Sequence, residues 1–340
     1  MNKVLIIKSK EKLNISSLKR GVIHKLFIQI SENSLGIPWR VPLIIIRGQE
    51  KGPTIGLTAA LHGDELNGIS TIFKLMEDIA PSELKGNIVL VPISNTPGYL
   101  ANQRYFLDNV DLNRIMPGKA EGASSHIYAH HFVNKIIKKF DYLLDLHTAS
   151  HGRINSLYVR SDMDNEQTRE LAYLQKTQII VNKYDEQGTL RAWANSNGIP
   201  SITIEIGNPN VFQHSLIDTT LKGIINTLVH LEMIEGKVKD LITKNVTVCN
   251  SSYWIYSKSG GIVDVLPKLT DRIEKGQIIA KIYNVFGEVR DVIIAEKEGI
   301  VIGKNIRPNC EAGTRILHLG VDIKKPLPET IPGHKDFTPI

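Results

Sequence analysis

Two stretches of this sequence carry residue types that could together activate water against a carbonyl. The first is His62-Gly63-Asp64-Glu65, which follows the apolar run 54–61. An imidazole and a carboxylate three residues apart at the start of a helical segment can point to one side. Their donor atoms then suit zinc, which in catalytic sites takes three protein ligands, commonly two His and one Glu, and keeps one position open for water. Alone, a His-x-x-Glu pair is weak, because such pairs more often make a structural hydrogen bond or a solvated helix start. A third ligand has to come from another strand end. The best candidate is His147, which closes the apolar run Phe140-Asp141-Tyr142-Leu143-Leu144-Asp145-Leu146-His147. Side chains alternate along a strand, so Asp145 shares a face with His147 and could orient its imidazole. Taken by itself, His147 is equally a strand-end histidine that caps a loop.

Two further segments offer polar groups for a substrate. Asp111-Leu112-Asn113-Arg114, followed by Pro117-Gly118, is irregular and places an amide beside a planar guanidinium fork that matches a carboxylate bidentately. Arg104, ten residues before Arg114, could reach the same cleft and stabilise an oxyanion, although either arginine alone is more often a surface salt bridge. Ser201-Ile202-Thr203-Ile204-Glu205-Ile206-Gly207 holds one carboxylate in an apolar strand, where its burial is costly unless it is paired or functional. Near a zinc-bound water, Glu205 would be a natural general base. The other histidines, including His126, His130, His131, His151, His214, His230 and His318, lack partners at comparable spacing and read as ordinary surface or core residues.

The elements that must position these groups alternate between short β-rich runs and longer helical patterns. Strands are expected at 54–61, 87–94, 140–147, 178–183 and 201–206, and helices at 65–79, 126–139, 166–176, 190–197 and 215–234. That alternation predicts an α/β fold with a mixed, largely parallel sheet flanked by helices, in which ligands bind outside the carboxyl ends of the strands. We assign it to residues 1–244, with an N-terminal β extension. Residues 245–325 change to short, glycine-punctuated β runs and read as an all-β, barrel-sandwich-like domain. An internal repeat supports this: Gly261-Ile262-Val263 and Gly299-Ile300-Val301 each precede a second apolar strand. Residues 326–340 hold four prolines without periodicity and read as an extended tail.

Composition removes several function classes. The chain has 340 residues, 42% of them hydrophobic, with 41 Lys plus Arg against 35 Asp plus Glu. The excess of +6 is dispersed and no aromatic platform accompanies it, which argues against a nucleic-acid partner. No apolar run approaches the roughly 18 residues needed to span a bilayer, and within 1–10 the apolar run Val4 to Ile7 is too short for a signal-peptide core. The two cysteines, Cys249 and Cys310, are too few for a disulfide framework, and a cytoplasmic location is expected.

HGDE, DLNR before PG, DLHT and T-I-E-I-G, in this order and spacing, resemble the succinylglutamate desuccinylase and aspartoacylase family, a branch of the zinc carboxypeptidase fold. The resemblance spans nearly the whole chain, since deacylase-like members carry a C-terminal β domain similar to lipoyl carriers. It implies that one zinc ion is bound by His62, Glu65 and His147, that Glu205 is the base and proton shuttle, and that Arg104 polarises the scissile carbonyl. It also implies that Asn113 and Arg114 hold a substrate carboxylate. The family usually has Phe before Pro-Gly where this chain has Met116, which bears on pocket shape. The expected activity is zinc-dependent hydrolysis of the amide of a small, anionic N-acyl amino acid. The alternatives are a zinc carboxypeptidase acting on peptides and a carrier or binding module. A carrier needs a modifiable lysine at a hairpin tip, and the corresponding link 283–290 has none.

Overall fold

Four segments are buried along most of their length, as strands covered on both sides require. In the computed structural model, which describes residues 5–8, 11–184, 187–238 and 246–324, these segments are the centre of the sheet. Lys85–Val91, Glu50–Thr58, Tyr142–His147 and Ser201–Ile206 lie side by side in that order, all parallel. Their carboxyl ends therefore open on one edge, which collects His62, His147 and Glu205. On one flank lies the antiparallel pair Val22–Glu32 and Pro38–Arg47, the second of which pairs with Lys85–Val91. On the other, Leu157–Ser161 runs antiparallel to Ser201–Ile206, followed by Ile179–Asn182.

Helices cover both faces. Ile69, Ile72 and Leu75 of the helix Asn67–Asp78 and Ile224 and Leu228 of His214–His230 pack with Leu57, Leu144 and Ile204. Tyr128 and Phe132 of Ser124–Lys135 pack with Val89, Val91 and Leu143 on the opposite face. The expected fold class is thus observed. One boundary differs in a way that matters: the helix expected at 65–79 begins at Asn67, so His62 and Glu65 stand in the turn before it rather than on its first turn.

The C-terminal strands continue the same sheet. Thr247–Tyr256 pairs parallel with Ile179–Asn182, and Arg315–Lys324, Gly299–Asn305 and Arg272–Ile273 follow in order. A separate antiparallel sheet of Val289–Ile294, Ile278–Tyr283, Gly261–Val265 and Asn309–Cys310 faces them. The two halves of the repeat fall in opposite layers, so Val263, Ile279 and Ile282 meet Val301, Leu317 and Leu319 in one core. The boundary expected after 244 and the tail 326–340 lie outside the described residues. No helix among the described residues is long and apolar enough to cross a membrane.

Gly63 fixes how the turn is packed. A Cβ there would lie 2.1 Å from the carbonyl carbon of Gly98 and 2.3 Å from the nitrogen of Tyr99. Neither backbone atom can yield without moving its segment, so Gly63→Ala is expected to cost about 1–3 kcal/mol. Thermal unfolding should show a lower Tm, with weaker metal retention because His62 and Glu65 flank the displaced residue.

Candidate active site

The turn after Glu50–Thr58 folds back when the Glu65 N–H donates to the His62 carbonyl at 3.1 Å. This brings His62 Nδ1 to 2.8 Å from Glu65 Oε1. The adjacent strand delivers His147, whose Nδ1 lies 2.8 Å from Glu65 Oε2 and 3.2 Å from His62 Nδ1. All three side chains are buried, and their candidate ligand atoms fall within 4.8 Å of one another. Sequence spacing alone could not show this convergence.

The outer hydrogen bonds set which imidazole nitrogens face inward. His62 Nε2 lies 3.0 Å from Asp111 Oδ1, and His147 Nε2 lies 2.8 Å from Asp145 Oδ2. Carboxylates accept, so each Nε2–H donates outward, and each Nδ1 is the atom that would offer its lone pair once a cation replaces the proton it shares with Glu65. Asp145 is itself fixed, accepting from the Thr58 hydroxyl at 2.7 Å. Two lone pairs and a carboxylate converging in a buried spot call for a shared positive charge, and two His with one Glu is a zinc-type donor set. The charge balance agrees. Burial favours a neutral Glu65, but His62 and His147 hold its carboxyl well below the usual range. Burial disfavours charge on His147, yet Asp145 and Glu65 hold that imidazole well above its ordinary value.

Arg104 reaches the same cluster. Its Nε and Nη2 donate to Asp111 Oδ2 at 3.3 and 2.8 Å, and its Nη1 donates to Glu65 Oε1 at 3.1 Å and Ser150 Oγ at 2.7 Å. Four of five N–H groups are placed, leaving one on Nη2. Asp111 therefore ties His62 to Arg104. Burial would raise its pKa, but those two partners hold its carboxyl well below the usual range. Asp111→Asn keeps one oxygen and replaces the other with an NH2 group, so it should remove the acceptor from either His62 or Arg104 and weaken metal affinity by about 10- to 100-fold. Competition with a chelator of known affinity would measure this, and unchanged affinity would remove Asp111 from the account.

The remaining expected groups are arranged differently from one another. Asn113 is buried, its Oδ1 accepting the Leu190 N–H at 2.7 Å and its Nδ2 facing His147 Nε2 at 3.5 Å. Arg114 lines the cavity but is exposed, with Nη1 donating to the Asn113 carbonyl at 2.7 Å. Arg114, expected to hold a substrate carboxylate, thus stands where water screens its charge. Glu205 is in register with His147 on the neighbouring strand and is 9% exposed. Its Oε2 accepts from Asn155 Nδ2 at 3.2 Å and its Oε1 from Arg160 Nε at 3.3 Å.

These side chains line one cavity of about 460 Å³, a volume suited to a small molecule. Sequence reasoning missed much of its wall. Arg160 and Tyr158 share a face of a strand whose alternation could have revealed them, since the Arg160 Nη2–H donates to the Tyr158 hydroxyl at 2.6 Å. Arg191, on the helix Leu190–Ser196, is buried and lines the cavity. Trp254, Arg315 and His318 come from the C-terminal strands. His318, expected to be an ordinary residue, belongs to this wall, and no local pattern marks it because it depends on the sheet running on into that region.

A sequence profile described as the succinylglutamate desuccinylase/aspartoacylase catalytic domain matches residues 51–231. The chain is similar to an N-alpha-acetyl-L-2,4-diaminobutyric acid deacetylase of Halomonas elongata, 27% identical over 311 residues that cover 87% of this chain and 90% of that protein. It is 25% identical over 210 residues to a succinylglutamate desuccinylase of Pseudomonas fluorescens, covering 57% of this chain and 58% of that one. Among solved structures, the product-bound ectoine utilization protein EutE (DoeB) of Ruegeria pomeroyi has a TM-score of 0.81 at 20% identity, covering 89% of this chain and 97% of its own. A succinylglutamate desuccinylase/aspartoacylase from Rhodobacter sphaeroides has a TM-score of 0.79 at 20% identity, covering 91% and 97%. At such identities the structural likeness speaks for the fold. The profile spans more than half of the chain and encloses the turn, the strand ends and the loop described above, and on that match this protein belongs to the succinylglutamate desuccinylase/aspartoacylase family.

Proposed function

We propose that this chain is a zinc-dependent deacylase that hydrolyses the amide bond of a small N-acyl amino acid or a related carboxylate-bearing substrate. One observation carries the reading: His62 Nδ1, His147 Nδ1 and the Glu65 carboxylate converge at the floor of a cavity that also holds Glu205 and Arg104. The names of the Halomonas and Pseudomonas relatives, a deacetylase and a desuccinylase, support it. His62, Glu65 and His147 would hold one zinc ion, which when bound supplies Lewis acidity toward water and the acyl oxygen.

The chain's own groups account for the remaining work. Glu205 takes a proton from the attacking water and returns it to the amine nitrogen as the C–N bond breaks. Arg160 and Asn155 keep that carboxylate turned to the cavity. The remaining N–H of Arg104 meets the oxygen on which negative charge develops. Asn113 Nδ2 and Arg114 receive the substrate carboxylate. The carboxypeptidase reading is disfavoured because Trp254, Arg315 and His318 wall the cavity and limit room for a chain. A screen of N-acetyl and N-succinyl amino acids against short peptides tests this. Turnover confined to peptides would replace the deacylase reading.

Because Arg114 is exposed, its pair with a substrate carboxylate should be worth less than the roughly 2–5 kcal/mol of a desolvated pair. Arg114→Ala is expected to lower kcat/KM by about tenfold, equivalent to ~1.4 kcal/mol. Wild type should prefer an N-acyl amino acid to its methyl ester, and the variant should barely distinguish them. Equal wild-type rates on both would assign Arg114 to structure.

A further inference from the structure

A second cavity lies at the opposite end of the central strands from His62 and His147, and cations dominate its wall. Arg47, Asn87 and Thr54 stand beside one another on three neighbouring strands, since Arg47 pairs with Asn87 and Asn87 with Thr54. Directly paired residues share a face of a sheet. Here it is the face that carries Ile45, Val89 and Val91 into the core. Where that apolar row ends, the three polar residues line a pocket of about 290 Å³. The rest of its wall includes Asn14 and Ser16 at the turn Ile15–Ser17, Arg20, and Lys139 at the end of the turn Ile137–Lys139.

Arg47 is only 6% exposed, yet no carboxylate answers its charge. Its Nη1 donates to the carbonyls of Ile15 and Ser16 at 2.7 and 2.8 Å and to that of Leu18. These bonds hold the guanidinium in place through neutral oxygens. Its Nε and Nη2 make no hydrogen bond with any described residue and are not sealed off, so their N–H groups open on the cavity. Arg20 is held in the same manner, its Nη1 donating to the Glu50 carbonyl at 2.8 Å. Lys139 makes no hydrogen bond or ion pair with any described residue. Thr54 Oγ1 accepts from Asn87 Nδ2 at 2.9 Å, which leaves its own O–H to donate. Asp141 accepts the Thr54 N–H at 2.7 Å but is not part of the lining. Burial, then the like charge of Arg20, holds Arg47 below its ordinary value. Three positive groups around one small cavity repel one another, and an anion with several charged oxygens removes that repulsion for all three, where a single carboxylate would occupy one fork.

We propose that Arg20, Arg47 and Lys139, with the Thr54 hydroxyl, form a binding site for a phosphate-type dianion, separate from the catalytic cavity and at the far end of the strands that build it. The dianion is free phosphate or the phosphoryl group of a small ester, and the two sources are separable. The site does not depend on the deacylase reading.

The test is calorimetry with inorganic phosphate and with glycerol phosphate on the full chain, as wild type, Lys139→Met, Arg20→Met and Arg315→Met. The last variant disturbs the catalytic cavity instead and controls for phosphate bound there. Phosphate should bind wild type and Arg315→Met alike, and Lys139→Met and Arg20→Met about tenfold more weakly. It should also raise the Tm of wild type more than that of either of the latter two. Tighter binding of the ester than of phosphate would support the site and identify an ester as its ligand; equal or weaker binding of the ester would support it with free phosphate as the ligand. No saturable binding to wild type at millimolar phosphate, equal binding to wild type and Lys139→Met, or a loss in Arg315→Met as large as in Lys139→Met would each overturn the site. Lys139 gives up no hydrogen bond on substitution, so its variant reports even if Arg20→Met folds poorly.

Discussion

Glu205→Gln is expected to keep one zinc ion per chain and a near-native Tm while losing about 10²- to 10⁴-fold in kcat. The carboxylate sits between two donors, Arg160 Nε and Asn155 Nδ2. A glutamine can still accept from Arg160 through its carbonyl oxygen, and the amide of Asn155 can rotate to meet its NH2 group. The local packing therefore survives, but an amide cannot take a proton from water at neutral pH. Metal analysis, thermal unfolding and initial rates on one preparation separate these effects. Turnover near the wild-type rate would mean that another group is the base.

His147→Ala should abolish stoichiometric zinc and reduce hydrolysis below detection, because it removes one of the three proposed ligands. It should also destabilise the fold more than His62→Ala does. Asp145, the partner of His147, is fully buried and would keep only the Thr58 hydroxyl. An uncompensated buried carboxylate costs about 3 kcal/mol or more. Asp111, the partner of His62, retains Arg104 and is partly exposed. Both variants should therefore lose metal, but only His147→Ala should show a large fall in Tm, when each is compared with metal-free wild type.

Much of the central sheet was legible because its strands are buried on both faces and carry a strong apolar signal. Ser201–Ile206 falls where its run of Ile and Thr indicated, and Tyr142–His147 ends at the histidine that closes the apolar stretch. Asp145 beside His147 follows from the period of two along a strand. The helix start was misjudged by two residues, since nothing in Glu65 and Leu66 distinguishes a tight turn from a first helical turn. Arg153, Arg160, Trp254, Arg315 and His318 were not legible as one wall. They meet because Thr247–Tyr256 adds to the edge of the catalytic sheet, a long-range pairing that leaves no mark in local periodicity. The exposure of Arg114 was equally hidden, because a loop motif does not reveal its depth in a cleft.

Hydrolysis by this chain is expected to require a cation at His62, Glu65 and His147. The most direct measurement is a zinc titration of chelator-stripped protein, followed by the release of free amine from an N-acyl amino acid that the wild type cleaves. Negligible activity before addition, a linear rise, and saturation at one equivalent of zinc per chain are expected. Full activity in the stripped protein, with metal content verified below a tenth of an equivalent, would contradict it.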